Sequence, residues 1–382
     1  MRVLILGGDG YLGWPTAMHL TSKDYKVAVA DSYLRRRLCK EEDVAPLFEV
    51  PDLRERVVAW KYESGYPIKV FIGDLTEWAF VETIFRSFLP DAIVHYAEQP
   101  SAPYSMLNRR SAGLTLKNNL VVTLNLIYAV RKFCPDAHIV KLGTMGEYGT
   151  PNIDIEEGWL DVDHKGRHQK FLYPRQAGSL YHTTKIMDTD LLWFYVRMWN
   201  LRVTDLMQGP VYGIFTNENK DNERLLPFFN YDEIFGTVLN RFVVQAVVGY
   251  PLTVYGKGNQ TRGYLNIRDT LTCIRLSLEN PAKIGELRIF NQFTETFSVN
   301  ELSKKVQRVG NNLGLNVSIQ PIENPRKEAE EHYYNPKHTG LSELGLRANY
   351  LTDEVLEQMI TFVLKHKSKI AIDQIHRKIM WA

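Results

Sequence analysis

The sequence is poor in cysteine and nearly balanced in charge, and these two shortages exclude several classes of protein. Three cysteines, Cys39, Cys134 and Cys273, stand among 382 residues without a CxxC pair, which argues against a disulfide framework and against a metal site. Lys and Arg number 46 and Asp and Glu 44, so the net charge gives no general attraction to nucleic acid or anionic lipid. Any bound anion must be held locally.

The chain also lacks an apolar run near the ~18 residues that a membrane span needs. A strand begins within the first three residues, so we expect no signal or transit peptide and a cytoplasmic location. Neither an internal repeat nor a low-complexity tract is present. With 45% hydrophobic and 24% charged residues, the composition is that of a globular protein with room for about two domains.

Short apolar segments alternate with amphipathic ones in the first half, the pattern of a doubly wound parallel sheet with crossover helices. The predicted strands are 3–6, 26–30, 69–72, 92–96, 138–142 and 202–207. The predicted helices are 13–22, 77–88, 117–133 and 179–199. The fold class is therefore α/β, a Rossmann-type sheet followed by a smaller mixed α/β domain.

Domain boundaries follow from where this alternation weakens. We predict one domain over 1–209, to which 236–248 and 266–279 return. A second, substrate-binding domain would hold 210–235, 249–265 and 280–382. Residues 35–66 read as an insertion with its own helix. Residues 159–172 alternate around a Lys-Gly pair, which predicts a hairpin that is either a flap over the site or a surface insertion.

A glycine-rich turn follows the first strand and opens a helix, which is the context of a dinucleotide-binding loop. Its glycines permit a tight turn and let the backbone approach a pyrophosphate at the helix N-terminus. We assign cofactor binding to the whole turn, Gly7, Gly8, Asp9, Gly10, Tyr11, Leu12 and Gly13.

The second strand ends at Asp31, where a carboxylate can hold both ribose hydroxyls of NAD; a helix cap is the alternative. The nearby arginines, Arg35 first among them, could instead accept a 2′-phosphate. We favour NAD because Asp31 would repel that phosphate. Asp74 and Leu75 follow the third strand, where Asp74 suits either the adenine amine or a simple turn.

Tyr181 and Lys185 lie four residues apart on a predicted helix, so they share one face. The ammonium group is expected to lower the pKa of the phenol toward that of a working base. Thr144, at the end of the fifth strand, can add a hydroxyl to the same substrate oxygen. Together with the glycine loop, these three residues predict a hydride-transfer enzyme.

This constellation resembles the extended short-chain dehydrogenase/reductase superfamily, from Arg2 to about Tyr350. The resemblance adds Asn119 to the cofactor contacts of Tyr181 and Lys185, and it implies that Arg262 and Arg326 clamp the pyrophosphate of a nucleotide sugar. Its substrate-binding positions are Thr144, Gln208, Arg241, Gln260, Arg262 and Arg326. A dimer through helices 117–133 and 179–199 is usual in such enzymes.

Less common strings narrow the resemblance, among them GGDGYLGW at 7–14, SAPYSM at 101–106 and KLGTMGEYGTPNIDIEEG at 141–158. They are similar to the UDP-sulfoquinovose synthase family. That family implies NAD-dependent oxidation of UDP-glucose at C4, loss of water across C5 and C6, addition of sulfite at C6, and return of the hydride. Plant-type members carry an arginine where this chain has Pro100.

A second acid or base is needed for the C5 and C6 steps. We name Glu147, which follows the catalytic threonine, and His182, which adjoins the tyrosine. Glu147 could equally pair with a local donor, and His182 points about 100° away from Tyr181 around the helix. The runner-up functions are a UDP-sugar 4-epimerase or 4,6-dehydratase and a non-catalytic NAD sensor.

Overall fold

The computed structural model describes residues 1–219, 222–324 and 333–375. Its strands in these ranges are β1 Arg2–Leu6, β2 Lys26–Asp31, β3 Ile68–Ile72, β4 Ala92–His95, β5 His138–Thr144, β6 Trp159–His164, β7 Arg167–Leu172, β8 Arg202–Gln208, β9 Val211–Tyr212, β10 Leu252–Tyr255, β11 Thr261–Asn266, β12 Leu287–Gln292, β13 Glu295–Ser298 and β14 Ile319–Ile322.

The helices in the same ranges are α1 Gly13–Thr21, α2 Leu34–Glu41, α3 Leu53–Ser64, α4 Trp78–Phe88, α5 Ala102–Ser105, α6 Arg109–Phe133, α7 Leu180–Trp199, α8 Val238–Val248, α9 Ile267–Glu279, α10 Val299–Asn312, α11 Gly340–Glu343 and α12 Asp353–Lys365. The predicted helix at 117–133 begins eight residues earlier, because Asn108 caps its N-terminus through Ser111 and the helix continues from there.

A seven-stranded parallel sheet organises the larger unit, in the order β12-β8-β5-β4-β1-β2-β3. Its central strands are buried on both faces, as in β1, where Val3 to Leu6 are 2% exposed or less, because helices cover each side. The order reverses beside β1, so the carboxyl ends of β1 and β4 open the crevice where doubly wound folds bind ligands. The predicted Rossmann-type class is confirmed.

A second apolar core lies in the smaller unit, whose sheets are mixed: β10 pairs with β14 in parallel, and β11 lies between parallel β9 and antiparallel β13. Helix α8 packs here with α10 and α12. The expectation that 236–248 returns to the first domain is thereby corrected. The apolar face of α8 packs in the second core. Helix α9, which lies within 266–279, does return to the first unit, where it packs on α1.

Strand β12 requires a second correction, because it is an edge strand of the large sheet beside β8 although 280–382 was expected to belong wholly to the second domain. The 35–66 segment carries two helices, α2 and α3. The hairpin of β6 and β7 forms as predicted. It packs on α7 through Trp159, whose ring lies 5.0 Å from that of Trp193, so it is placed as a surface insertion.

Candidate active site

A cavity of about 750 Å³ lies at the carboxyl ends of the parallel strands, with walls from both units. Its volume falls in the range of sites that enclose a cofactor or substrate. The first unit contributes the glycine turn, Asp31, Thr144 and Tyr181, and the second contributes residues that include Arg241 and Arg262. The large sheet therefore positions the chemistry and the small unit closes the opposite wall.

The glycine turn is packed so tightly that side chains are excluded from it. Gly7 has a φ of +88°, and a Cβ on Gly13 would lie 2.0 Å from the Gly7 carbonyl oxygen. Gly8 faces strand β2, where a Cβ would lie 2.5 Å from that of Val29. The other residues of the turn line the cavity: Gly7, Asp9, Gly10, Tyr11, Leu12 and Gly13. This cradle fits the pyrophosphate of NAD.

Asp31 stands at the end of β2 and lines the same cavity. Its carboxylate accepts hydrogen bonds from the backbone N–H groups of Asp9 and Tyr33, at 2.9 and 2.7 Å. Burial, and then the nearby charge of Asp9, raise its pKa to about 6. Each oxygen retains a second lone pair, so Asp31 fits the acceptance of ribose hydroxyls.

The neighbouring arginines are arranged differently from a 2′-phosphate site. Arg36 forms an ion pair with Asp9, with N–O distances of 2.7 and 2.8 Å, and Arg37 donates to the Ser32 carbonyl. Arg35 lines the cavity with its guanidinium 4.3 Å from the centre of the Phe235 ring. Because Arg36 and Arg37 are engaged, the set fits NAD better than NADP.

Two further cofactor positions differ in placement. Asp74 and Leu75 line the cavity. Asp74 also accepts hydrogen bonds from the backbone N–H and the hydroxyl of Thr76, both at 2.8 Å, so it stabilises the turn after β3. Asn119 is fully buried. Its amide bonds to Gln99 and to Thr184, so it ties the loop after β4 to α7, and the expected direct cofactor contact is replaced by this bracing one.

Tyr181 and Lys185, the predicted catalytic pair, lie on the first turns of α7, which Ser179 caps by accepting from the His182 N–H. Tyr181 lines the cavity, and Lys185 is buried one turn later. Burial and the charge of Glu98 hold the pKa of Tyr181 well above its ordinary value. The expectation of a lowered phenol pKa is wrong, because Tyr181 is buried and because Glu98, 2.5 Å from Lys185, offsets the charge of that lysine.

His182 also lines the cavity, beside Gly146. Its Nδ1 lies 3.0 Å from Ser179 Oγ, and a Cβ on Gly146 would come within 2.4 Å of its Nε2. Thr144, on the same wall, accepts a hydrogen bond from the Gly146 N–H at 3.2 Å. A hydroxyl, a phenol and an imidazole therefore converge on one part of the cavity.

Glu147 is placed elsewhere. Its side chain is fully buried and accepts from the Thr144 N–H at 3.2 Å. Its oxygens lie 3.5 Å from Lys141 and 3.8 Å from Arg175. Glu147 therefore pairs with local donors, which was the alternative to an acid/base role. The expected role at C5 is corrected to a structural one, because Lys141 and Arg175 enclose the carboxylate.

Lys141 extends this buried cluster and was missed by sequence reasoning. Its ammonium donates to Thr189, Asp205 and the Lys185 carbonyl, at 2.7, 3.1 and 3.2 Å. A lysine between Val140 and Leu142, within the buried strand HIVKLGT, is the signal that could have found it. The cluster connects the end of β5, which carries Thr144, to the turn of α7 that carries Lys185.

Besides Thr144, four of the predicted substrate residues line the cavity: Gln208, Arg241, Gln260 and Arg262. Gln208 donates to Gln292 and Thr270. Arg241 lies over the Tyr255 ring, 5.1 Å from its centre, and its Nε has no hydrogen-bond partner in the described residues. Gln260 and Arg262 line the same region. Arg326 lies outside the described residues.

No group of three His, Cys, Asp or Glu side chains in the residues that the structure describes is placed to hold a metal ion. Among the same residues, no helix combines the length and the apolar composition needed to cross a bilayer.

Comparison with known proteins agrees with this geometry. The model of the NAD dependent epimerase/dehydratase family matches residues 3–291. The chain is 48% identical over 380 residues to the chloroplastic UDP-sulfoquinovose synthase of Spinacia oleracea, covering 100% of this chain and 79% of that one. It is 46% identical to the UDP-sulfoquinovose synthase of Sulfolobus acidocaldarius, covering 97% and 94%.

Among solved structures, the UDP-glucose 4-epimerase of Bifidobacterium longum, in complex with NAD+ and UDP, superposes with a TM-score of 0.72. The alignment covers 97% of this chain and 100% of the epimerase at 20% identity. At that identity, the likeness shows the fold alone.

Proposed function

The chain belongs to the UDP-sulfoquinovose synthase family and to the wider NAD dependent epimerase/dehydratase family, and from that premise we propose how its residues carry out the reaction. UDP-sulfoquinovose synthesis with NAD as cofactor is the activity of this family. The substrates of the proposed route are UDP-glucose and sulfite, and its product is UDP-6-sulfo-6-deoxyglucose. The observation that carries the route is that Thr144, Tyr181 and His182 line one cavity with the glycine cradle.

The first half of the reaction uses Thr144 and Tyr181. The Thr144 oxygen already accepts the Gly146 N–H, so its own hydrogen is available to the C4 oxygen of the sugar. Tyr181, as phenolate, takes the proton of the C4 hydroxyl while C4 becomes a ketone. When bound, NAD accepts the hydride of C4 and returns it at the end of the cycle.

The second half uses His182. The ketone acidifies the C5 hydrogen. In the proposed tautomer, His182 Nδ1 carries the hydrogen toward Ser179 Oγ, 3.0 Å away, and Nε2 is the acceptor that takes the C5 proton. The C6 hydroxyl takes up a proton and leaves as water, which gives a 4-keto-5,6-ene. Sulfite adds through sulfur at C6 and C5 regains a proton. Return of hydride to C4 and of the Tyr181 proton to its oxygen completes the product.

Arginine side chains bind the nucleotide end of the substrate in this proposal. Arg262 and Arg241 line the cavity, and Arg241 keeps an Nε without a hydrogen-bond partner in the described residues. Guanidinium groups match the geometry of phosphate oxygens. We therefore propose that the UDP pyrophosphate binds on the side of the smaller unit, with the glucose ring facing Tyr181.

Mass spectrometry of UDP-glucose incubated with purified protein, with and without sulfite, tests this function. We expect a sulfonated nucleotide sugar only when sulfite is present. UDP-galactose without any sulfonate would indicate the epimerase alternative, and a stable 4-keto-6-deoxy sugar would indicate the dehydratase alternative. An unchanged substrate in both reactions, with bound NAD confirmed, would favour the sensor.

We also propose that the chain forms a homodimer through α6 and α7, which pack along each other. Their outward faces carry large apolar side chains that are 36–60% exposed: Leu116, Leu124, Tyr128, Met187, Phe194 and Met198. Large apolar side chains exposed on two packed helices are typical of a protein–protein interface. Light scattering should give twice the chain mass, and Phe194→Glu with Met198→Glu should give one chain mass. Ile284→Glu, at an apolar position 68% exposed, is the control that should stay dimeric.

A further inference from the structure

A buried carboxylate contacts the catalytic lysine, and the reaction as proposed makes no use of it. Glu98 Oε1 lies 2.5 Å from Lys185 Nζ, and the two side chains are 4% and 3% exposed. Glu98 also lines the cavity. Its other oxygen, Oε2, is buried without a hydrogen-bond partner in the described part of the chain.

The fold fixes Glu98 in place relative to Tyr181 and Lys185. β4 ends at His95 and the chain continues to the cavity edge. Gln99, which follows Glu98, donates its backbone N–H to the Asn119 side chain at 2.9 Å. Asn119 in turn donates to Thr184 at 3.0 Å. Since Thr184 lies between the two catalytic residues on α7, the ion pair is built by the tertiary structure and is not a chance surface contact.

Charged and titratable groups lie around Tyr181 on four segments of the chain. Lys185, Asp188 and His182 lie on its own helix; Glu98 lies in the connection after β4; Lys141 and Glu147 lie on β5 and the turn that follows; and Arg35 lies on α2. Among the charges that act on the pKa of Tyr181, Glu98 has the largest effect, and it raises that pKa.

Lys185 itself remains an ammonium ion. Burial alone would lower its pKa, but Glu98 and then Asp188 raise it overall. Two opposite charges 2.5 Å apart act on a neighbouring group almost as a dipole, so much of the attraction that Lys185 would exert on a phenolate is cancelled. The lysine can orient groups by hydrogen bonding without ionising Tyr181 by its charge.

We propose that Glu98 is a positioning residue that neutralises Lys185, so that Tyr181 keeps its proton until a positively charged nicotinamide lies beside it. This inference rests on the proposed roles of Tyr181 and Lys185. Tyr181 would then be a base beside oxidised cofactor, when C4 loses hydride and its hydroxyl proton moves to the phenolate. It would be an acid beside the neutral, reduced cofactor, when C4 regains hydride and the proton returns to the C4 oxygen.

Direct titration of Tyr181 tests the proposal without any sugar. Phenolate absorbance is followed against pH in the purified, NAD-containing protein, and the curve of the same protein carrying Tyr181→Phe is subtracted. In Glu98→Gln, we expect the midpoint to fall by about 1–3 pH units, because the opposing charge of Lys185 is no longer cancelled. Glu98→Asp, which keeps the charge, should stay near the parent value. An unchanged or higher midpoint in Glu98→Gln would overturn the proposal.

A second pair of variants covers the case in which Glu98→Gln fails to fold. Lys185→Met should raise the midpoint, because Glu98 is then unopposed, and adding Glu98→Gln to it should bring the midpoint back toward the parent value. If the double variant titrates like Lys185→Met, Glu98 does not act on Tyr181. Since none of these curves requires UDP-glucose or sulfite, their failure leaves the proposed synthase reaction standing, and failure of that reaction leaves the curves interpretable.

Discussion

Gly146 and His182 are packed against each other so closely that a Cβ on the glycine would lie 2.4 Å from the imidazole Nε2. Real side chains do not approach this closely, so the histidine occupies space that another residue at 146 would fill. The turn after β5 therefore does more than carry Thr144. Its missing side chain gives His182 its position on the cavity wall.

Gly146→Ala is expected to displace the His182 ring and to slow the C5 step selectively. The protein should still reduce its bound NAD when UDP-glucose is added, because Thr144, Tyr181 and Lys185 are intact, whereas exchange of the C5 hydrogen with deuterated solvent should fall by about 10²-fold or more. His182→Gln should reproduce the defect. Gly178→Ala, at a cavity glycine with open space around its Cα, is the control and should exchange normally.

Glu147→Gln is expected to affect stability more than chemistry. Removing one carboxylate from this buried ion cluster leaves Lys141 to Asp205 and Arg175 to the more exposed Asp190, so the free energy of unfolding should fall by up to about 3–5 kcal/mol. Denaturant unfolding measures this loss. Asp353→Asn, which breaks the exposed pair with Arg308, should cost less than about 1 kcal/mol. The folded fraction of Glu147→Gln should still exchange the C5 hydrogen; complete loss of exchange in well-folded protein would return Glu147 to the reaction.

NAD binding is expected to weaken as the pH falls through about 6. The folded-state pKa of Asp31 is raised to about 6, by burial first, so below that pH the carboxyl is protonated and accepts ribose hydroxyls poorly. The ionised form binds better, and affinity is therefore retained above pH 6 and lost on acidification. Calorimetric titration of protein stripped of nucleotide measures this. In Asp31→Asn, affinity should be low and nearly independent of pH between 5 and 7; a steep dependence there would place the titrating group elsewhere.

Tyr181→Phe is expected to abolish hydride transfer while NAD remains bound. The phenyl ring preserves packing against the cavity wall but has no oxygen to accept the C4 proton, so reduction of bound NAD by UDP-glucose should fall by about 10²–10⁴-fold. Nicotinamide absorbance gives the rate, and the nucleotide released on denaturation gives the NAD content. NAD reduction at the parent rate would mean that the proton leaves by another route.

The sequence alone determined the features that depend on short-range pattern. Six strands of the large sheet, the glycine turn, Asp31 and the spacing of Tyr181 and Lys185 could all be predicted from periodicity and local sterics. Each arises within a few residues of the chain, where helix and strand geometry bring defined positions together. The hairpin of β6 and β7 was predictable for the same reason.

Only the tertiary structure decided which side chains face the cavity and which charges offset one another. Glu147 follows Thr144 closely in sequence, yet Lys141 and Arg175 draw its carboxylate into the interior. Glu98 is 87 residues from Lys185 and contacts it. Helix α8 packs in the second core, although 236–248 was expected to return to the first domain. Such pairings depend on burial and on electrostatic interactions between distant segments, which residue spacing does not encode.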